Sequence, residues 1–268
     1  MLRSTADRAF LPAKSMFDQV GSMVILTGKT VSATLRPPYP YGGEFISQFI
    51  FALQLCWFPM AVSMVAVSFG APGLQAANFL SLFGALDRLG GFFILASVRE
   101  FAPFVCAIIV AGVAGTAITA DLGARKIREE LDALQVLGVD PIKNVVVPRF
   151  LALILITGLL DVYAILFGIA GGVIAEVMYG QPLGGFMATL FNNASITDLW
   201  ASLVKCTMFG GIVAIVCAYK GMNASGGAAG VGRAVNEAVV VCLLGVFAFN
   251  YVFTQTLLAT HPEISVIK

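Results

Sequence analysis

Charge is scarce in this chain. Of 268 residues, 16 are Lys or Arg and 15 are Asp or Glu, so charged side chains make up 12% of the sequence while 59% are hydrophobic. Soluble domains carry about twice that charge, and the mean hydropathy of +0.91 belongs to a polytopic membrane protein. The balance of signs, net +1, excludes a nucleic-acid binder, which needs a concentrated basic surface to neutralise phosphates. Histidine occurs once, at His261. Cys56, Cys106, Cys206, Cys217 and Cys242 lie in apolar runs without metal-ligand or redox spacing. They read as small apolar packing residues, and no metal site is predicted. The first thirty-odd residues lack an apolar stretch ending in a small-residue cleavage site, so the first spanning helix is expected to direct insertion.

Long uncharged runs are what the sequence has instead. No charge occurs from Phe45 to Leu86, and residues 46–69 are long enough to cross about 30 Å of hydrocarbon at 1.5 Å per residue. Further runs place spans at about 101–120, 145–175, 199–219 and 235–260, which predicts an all-α membrane protein of five transmembrane helices over residues 45–260. Gly70-Ala71-Pro72-Gly73 reads as the turn closing span one. The segment after it is interrupted by Asp87-Arg88 and Gly90-Gly91, and is expected to lie outside the membrane or to be partly re-entrant. Gly168, Gly171 and Gly172 in span three allow close helix approach.

Residues 1–44 carry Arg3, Arg8, Lys14, Lys29 and Arg36, with Phe17, Val20, Val24 and Val31 at helical spacing. This predicts an interfacial amphipathic helix on the inner leaflet, ended by Pro37-Pro38-Tyr39-Pro40. Residues 176–198 contain no Lys or Arg. With five spans, the positive-inside rule puts the N-terminus, 121–148 and 220–234 in the cytoplasm and the tail 261–268 outside it.

The longest charged island runs from Asp121 to Arg149. On a helix over about 124–137, Ala124, Ile127, Leu131, Leu134 and Leu137 share one face, and Arg125, Arg128, Glu129, Asp132 and Gln135 the other. Gly138 and Asp140-Pro141 are stop signals. The pairs Arg125–Glu129, Lys126–Glu130 and Arg128–Asp132 place the base first, the weaker order. The alternatives are a solvated loop helix and a docking helix for a soluble partner.

Catalytic readings fail on residue identity or position. Gly227 to Gly232 has the outer spacing of a phosphate-binding loop, but Arg233-Ala234 stands where Lys and Ser/Thr are required. Asn223-Ala224-Ser225-Gly226 faintly resembles the serine motif of rhomboid proteases, yet the topology puts Ser225 and His261 at opposite ends of span five. Neither nucleotide hydrolysis nor proteolysis by this chain is expected. Asp161 and Lys205 lie within spans, where a charge is costly and usually faces the bundle interior. With Arg99 and Glu100 they are candidates for a polar membrane path or for structural ion pairs, Asp161 with Lys205 among them.

Three separated motifs carry a family resemblance. Glu129-Glu130-Leu131-Asp132-Ala133-Leu134 followed by LGVDPIKNVVVPR, REFAP at 99–103, and YKGMNASGGAAGVGRA at 219–234 are similar to the MlaE/YrbE permeases of ABC transporters. The wording resembles most the YrbE permeases that accompany Mce proteins in actinobacteria. The resemblance implies a multi-pass permease of the bacterial inner membrane that dimerises, with a second YrbE-type chain as the partner in Mce systems. It further implies an ABC ATPase dimer below, which holds the ATP and Mg, and MCE proteins above. The cargo would be a lipid of the fatty-acid, mycolic-acid or sterol class, moved inward. Arg125, Arg128, Glu129, Glu130 and Asp132 would then face the ATPase, and Leu131 and Leu134 would hold a coupling helix on the membrane domain. Asn223, Ser225, Gly226, Gly227, Gly230 and Gly232 would form a cytoplasmic Gly-rich loop. An ion-coupled secondary transporter subunit and a non-transporting scaffold are the alternatives; against the former, no inverted repeat is apparent.

Overall fold

The computed structural model describes residues 2–39 and 41–262, with side chains at Lys14 and from Met16 onward apart from position 40. Among these residues there is no strand. Helix α1 is Leu2–Leu35, α2 Gly42–Ser81 and α3 Leu86–Ile127; α4 is the short Glu130–Val136, and α5 is Ile142–Met178. Helix α6 is Leu183–Asn193, α7 Ile196–Met222 and α8 Gly227–Thr260. Five of them, α2, α3, α5, α7 and α8, are long and apolar enough to cross a membrane, in the order the sequence predicts.

The helices are longer than the uncharged runs, and three expectations are corrected. Gly70–Gly73 is not a turn. The chain passes through Phe69–Gln75 as a widened π-helical stretch, which accommodates Pro72 because a wider ladder tolerates the missing N–H. Gly73 is small because α5 lies against it: a Cβ there would sit 2.9 Å from the Cβ of Ala175. The turn comes later, at 82–85, where Gly84 adopts φ +64°. Consequently 86–98 is not a re-entrant segment; it runs on without a break as the first part of α3. Gly90 fits beneath α6 so closely that a Cβ would lie 2.0 Å from the carbonyl oxygen of Phe186.

The third correction concerns the Gly-rich segment. Its loop is only 223–226, because Gly226 at φ +87° and Gly227 at φ +69° complete the reversal and the chain re-enters a helix at once. Gly227, Gly230 and Gly232 are therefore residues of α8.

α5 and α7 form the centre of the bundle. α2 packs on α5, and α3 and α8 pack on α7 and on each other. The glycines of α5 act as predicted: a Cβ at Gly171 would lie 2.7 Å from the backbone oxygen of Val65, and one at Gly168 2.8 Å from Met64 Cε. All five cysteines are buried and unlinked. Residues 86–93 and α6 make a small cap at the end remote from the island, with the Phe93 and Phe186 rings edge to face. On α1, Phe17, Val20, Val24 and Val31 are all exposed while Leu26 and Thr30 face the protein. The apolar stripe seen in the sequence thus points away from the bundle. Arg3 and Arg8 fall outside the described side chains, and 263–268 outside the described residues.

Candidate functional sites at the two ends of the bundle

The island is not one helix over 124–137. α3 stops at Ile127, and Glu129 takes the left-handed conformation, φ 60°, which turns α4 away from the axis of α3. The predicted i,i+4 pairs are lost with that register. Arg125 instead bonds Asp121 at 3.1 Å, Lys126 bonds Asp132 at 2.8 Å, and Arg128 bonds Glu130 at 2.7 Å. The stop signal at Gly138 is real. With φ +76°, its N–H bonds the oxygen of Gln135 and that of Val139 bonds Leu134, the Schellman closure of a helix.

Leu131 is buried and Leu134 packs beside it on the core, which anchors α4. Leu137 does not share that face: it is 76% exposed, and its neighbour Val136 is 89% exposed. The exposure of Leu137 was not foreseen, because helical periodicity continued through Glu129 put it on the same face as Leu131 and Leu134. Beside this apolar tip lies a groove of about 520 Å³, lined by Lys126, Leu131, Asp132, Gln135, Asp140 and Met222 among others.

At the base of the island, Arg149 is almost fully buried. Its guanidinium reaches Asp121 at 2.7 Å, Glu44 at 3.4 Å and the Val145 oxygen at 2.8 Å. The first and last residues of the island are therefore paired, and α2 is tied to them. Close by, Lys220 bonds Glu237 and Gln19, both at 2.8 Å, which joins α1, α7 and α8. Asn223 bonds the oxygen of Tyr219 and Ser225 precedes the start of α8. Helix α8 separates Ser225 from His261 by about 50 Å at 1.5 Å per residue.

A second polar cluster lies towards the cap. Arg99 Nε meets Asp198 at 2.6 Å, and Asp198 also closes the capping box of α7 with Ser195. Lys205 donates to Glu100 at 3.0 Å, to the Arg99 oxygen at 2.9 Å and to Thr254 at 3.1 Å. Asn250 donates to the other oxygen of Glu100 at 2.9 Å. Asp161 and Lys205 are not bonded to each other: Asp161 accepts from Ser202 at 2.8 Å, and its other oxygen has no partner among the described residues. Arg99, Glu100, Asp161 and Lys205 thus come together on α3, α5 and α7, joined by Asn250 and Thr254 of α8. Arg99 and Glu100 sit in a π-helical stretch, Ile94–Phe101, a feature frequent at functional sites.

The model of the family described as permease MlaE matches residues 45–256. A probable ABC transporter permease of Synechocystis is 35% identical over 195 residues, 72% of this chain and 74% of its own. One from Rickettsia typhi is 30% identical over 239 residues, 89% of this chain and 92% of its own. The Arabidopsis chloroplast protein TRIGALACTOSYLDIACYLGLYCEROL 1 is 32% identical over 183 residues, 68% of this chain and 52% of its own.

Proposed function

Since this chain belongs to the MlaE family of ABC transporter permeases and is a multi-pass membrane protein, we propose that it moves lipid, using ATP hydrolysed by a separate ATPase that docks on α4. The observation that carries this is the Val136–Leu137 tip. Two large apolar side chains stand in the open on a short helix fixed from behind by Leu131, which is the arrangement of a knob awaiting a socket. In this reading the chain spans the inner membrane of a bacterium with the tip in the cytoplasm, which the positive-inside rule supports. ATP and Mg stay on the ATPase; this chain binds neither.

Lipid cargo has two supports. The name of the Arabidopsis relative is that of a galactolipid. In addition, α2 and α5 border an open apolar groove of about 710 Å³ lined by Trp57, Phe58, Val62, Phe69, Tyr163 and Phe167, roomy enough for an acyl chain. The partners in this reading are a second YrbE-type permease chain and MCE proteins at the cap end, with transport inward. Mass spectrometry of the complex drawn from its native membrane in mild detergent tests it. An ATPase, a related permease, MCE proteins and bound lipids are expected. The chain alone, with uptake driven by an ion gradient, would replace this reading with an ion-coupled one.

A further inference from the structure

The pair at the base of the island has an asymmetry that a simple staple does not need. Arg149 is 2% exposed, whereas the side chains of its two acids, Asp121 and Glu44, are 42% and 39% exposed. One Nη of Arg149 is shared between both acids and the other donates to Val145, while its Nε has no partner among the described residues. A guanidinium stays charged at all working pH values and offers five donors in a rigid fork. Here the cation is fixed and has a donor to spare, and the two acids can withdraw into water at small cost. Asp121 also has a second cation to turn to, Arg125 at 3.1 Å.

The position of each member gives this asymmetry a direction. Asp121 stands in the last turns of α3, where the island begins; Arg149 is in the first turns of α5, and Glu44 in the first turn of α2. α2 and α5 are the walls of the apolar groove. We propose that Arg149 is the positioning residue through which displacement of the docked island reaches α2 and α5, with Asp121 and Glu44 as its exchangeable partners. A pull on α4 draws the end of α3, Asp121 shifts its share of contact between Arg149 and Arg125, and Glu44 tightens on Arg149 and carries α2 with it. The inference rests on docking of an ATPase at α4.

The test uses the full complex of this chain with its co-purified ATPase in lipid nanodiscs. A bimane fluorophore is attached at Ile46→Cys, an exposed position two residues beyond Glu44; the native thiols are buried. Emission is followed on trapping with ATP and vanadate, beside ATP hydrolysis. Arg149→Met is expected to keep the ATPase bound and hydrolysing but to cut the α2 response about fivefold or more, the lower range of a coupling between sites. Arg149→Lys, which keeps a cation between Asp121 and Glu44, should restore at least half of it. A full response in Arg149→Met overturns the relay while leaving docking intact. Should Arg149→Met fail to assemble, Glu44→Gln, at a partly exposed position, carries the test: a weakened response supports the relay and an undiminished one overturns it. Absence of the ATPase from the unmutated complex overturns the docking reading and the relay with it.

Discussion

Lys205 shows what a cation inside a membrane bundle requires. An ammonium has three donors, and each is used: on the Arg99 oxygen, on Glu100 and on Thr254. Asp161, by contrast, holds one hydrogen bond from Ser202 and leaves an oxygen without a partner among the described residues. Removing the two charges should therefore have unequal effects. Lys205→Met leaves Glu100 without its cation, and a loss of about 1–3 kcal/mol is expected, below the range for a fully buried broken pair because Glu100 is partly exposed. Asp161→Asn keeps an acceptor for Ser202 and should lose less. Melting of the two variants in one detergent measures this, and equal shifts would refute the ranking. The sequence identified both residues as charges in need of partners. It grouped them with Arg99 and Glu100 but could not assign the pairs, since Glu100 lies 105 positions before Lys205 and no local periodicity connects them.

At the scale of elements, the clearest local signal was the end of α4, where Gly138 is the residue that accepts the left-handed closing position. The break before α4 left no such mark. Glutamate is an unusual occupant of positive φ, so Glu129 reads in sequence as one more helical acid, and the predicted face was carried across it. The same limit explains Phe69–Gln75, where Gly and Pro look like a turn but the proline is absorbed in a widened helical stretch. The corrected α4 changes which residues the proposed docking would use. Val136→Asp with Leu137→Asp is expected to lower ATPase capture about tenfold or more, with membrane insertion unaltered, as for loss of a central apolar anchor. Reversing Glu129, Glu130 and Asp132 to Lys should do less, because Glu130 and Asp132 are already held by Arg128 and Lys126. Undiminished capture in the double aspartate variant would remove the tip from the interface.

For the whole molecule, the number and order of spans were legible because length and hydropathy act locally. What packs on what was not. The central place of α5 and α7 was only hinted at by three glycines, and the cap of 86–93 with α6 required contacts between residues about a hundred positions apart. Orientation can be measured directly. A cysteine at Val136 should react with an impermeant maleimide only in inside-out vesicles, and one at Asn192 only in right-side-out vesicles. The reverse pattern would invert the topology and place the tip of α4 where no ATPase reaches it.

The polar cluster also imposes an order on manufacture. Arg99 meets Asp198 across 99 positions and Glu100 meets Lys205 across 105. A ribosome adds about 5–20 residues each second, so both side chains are made about 5–20 s before Asp198 and Lys205 exist to pair with them. Until α7 emerges, the early part of α3 has no stable seat in hydrocarbon and must be held by the insertion machinery or at the lipid surface. The fourth span is thus the one that settles the second, and a nascent chain halted before residue 205 would leave Glu100 without its cation.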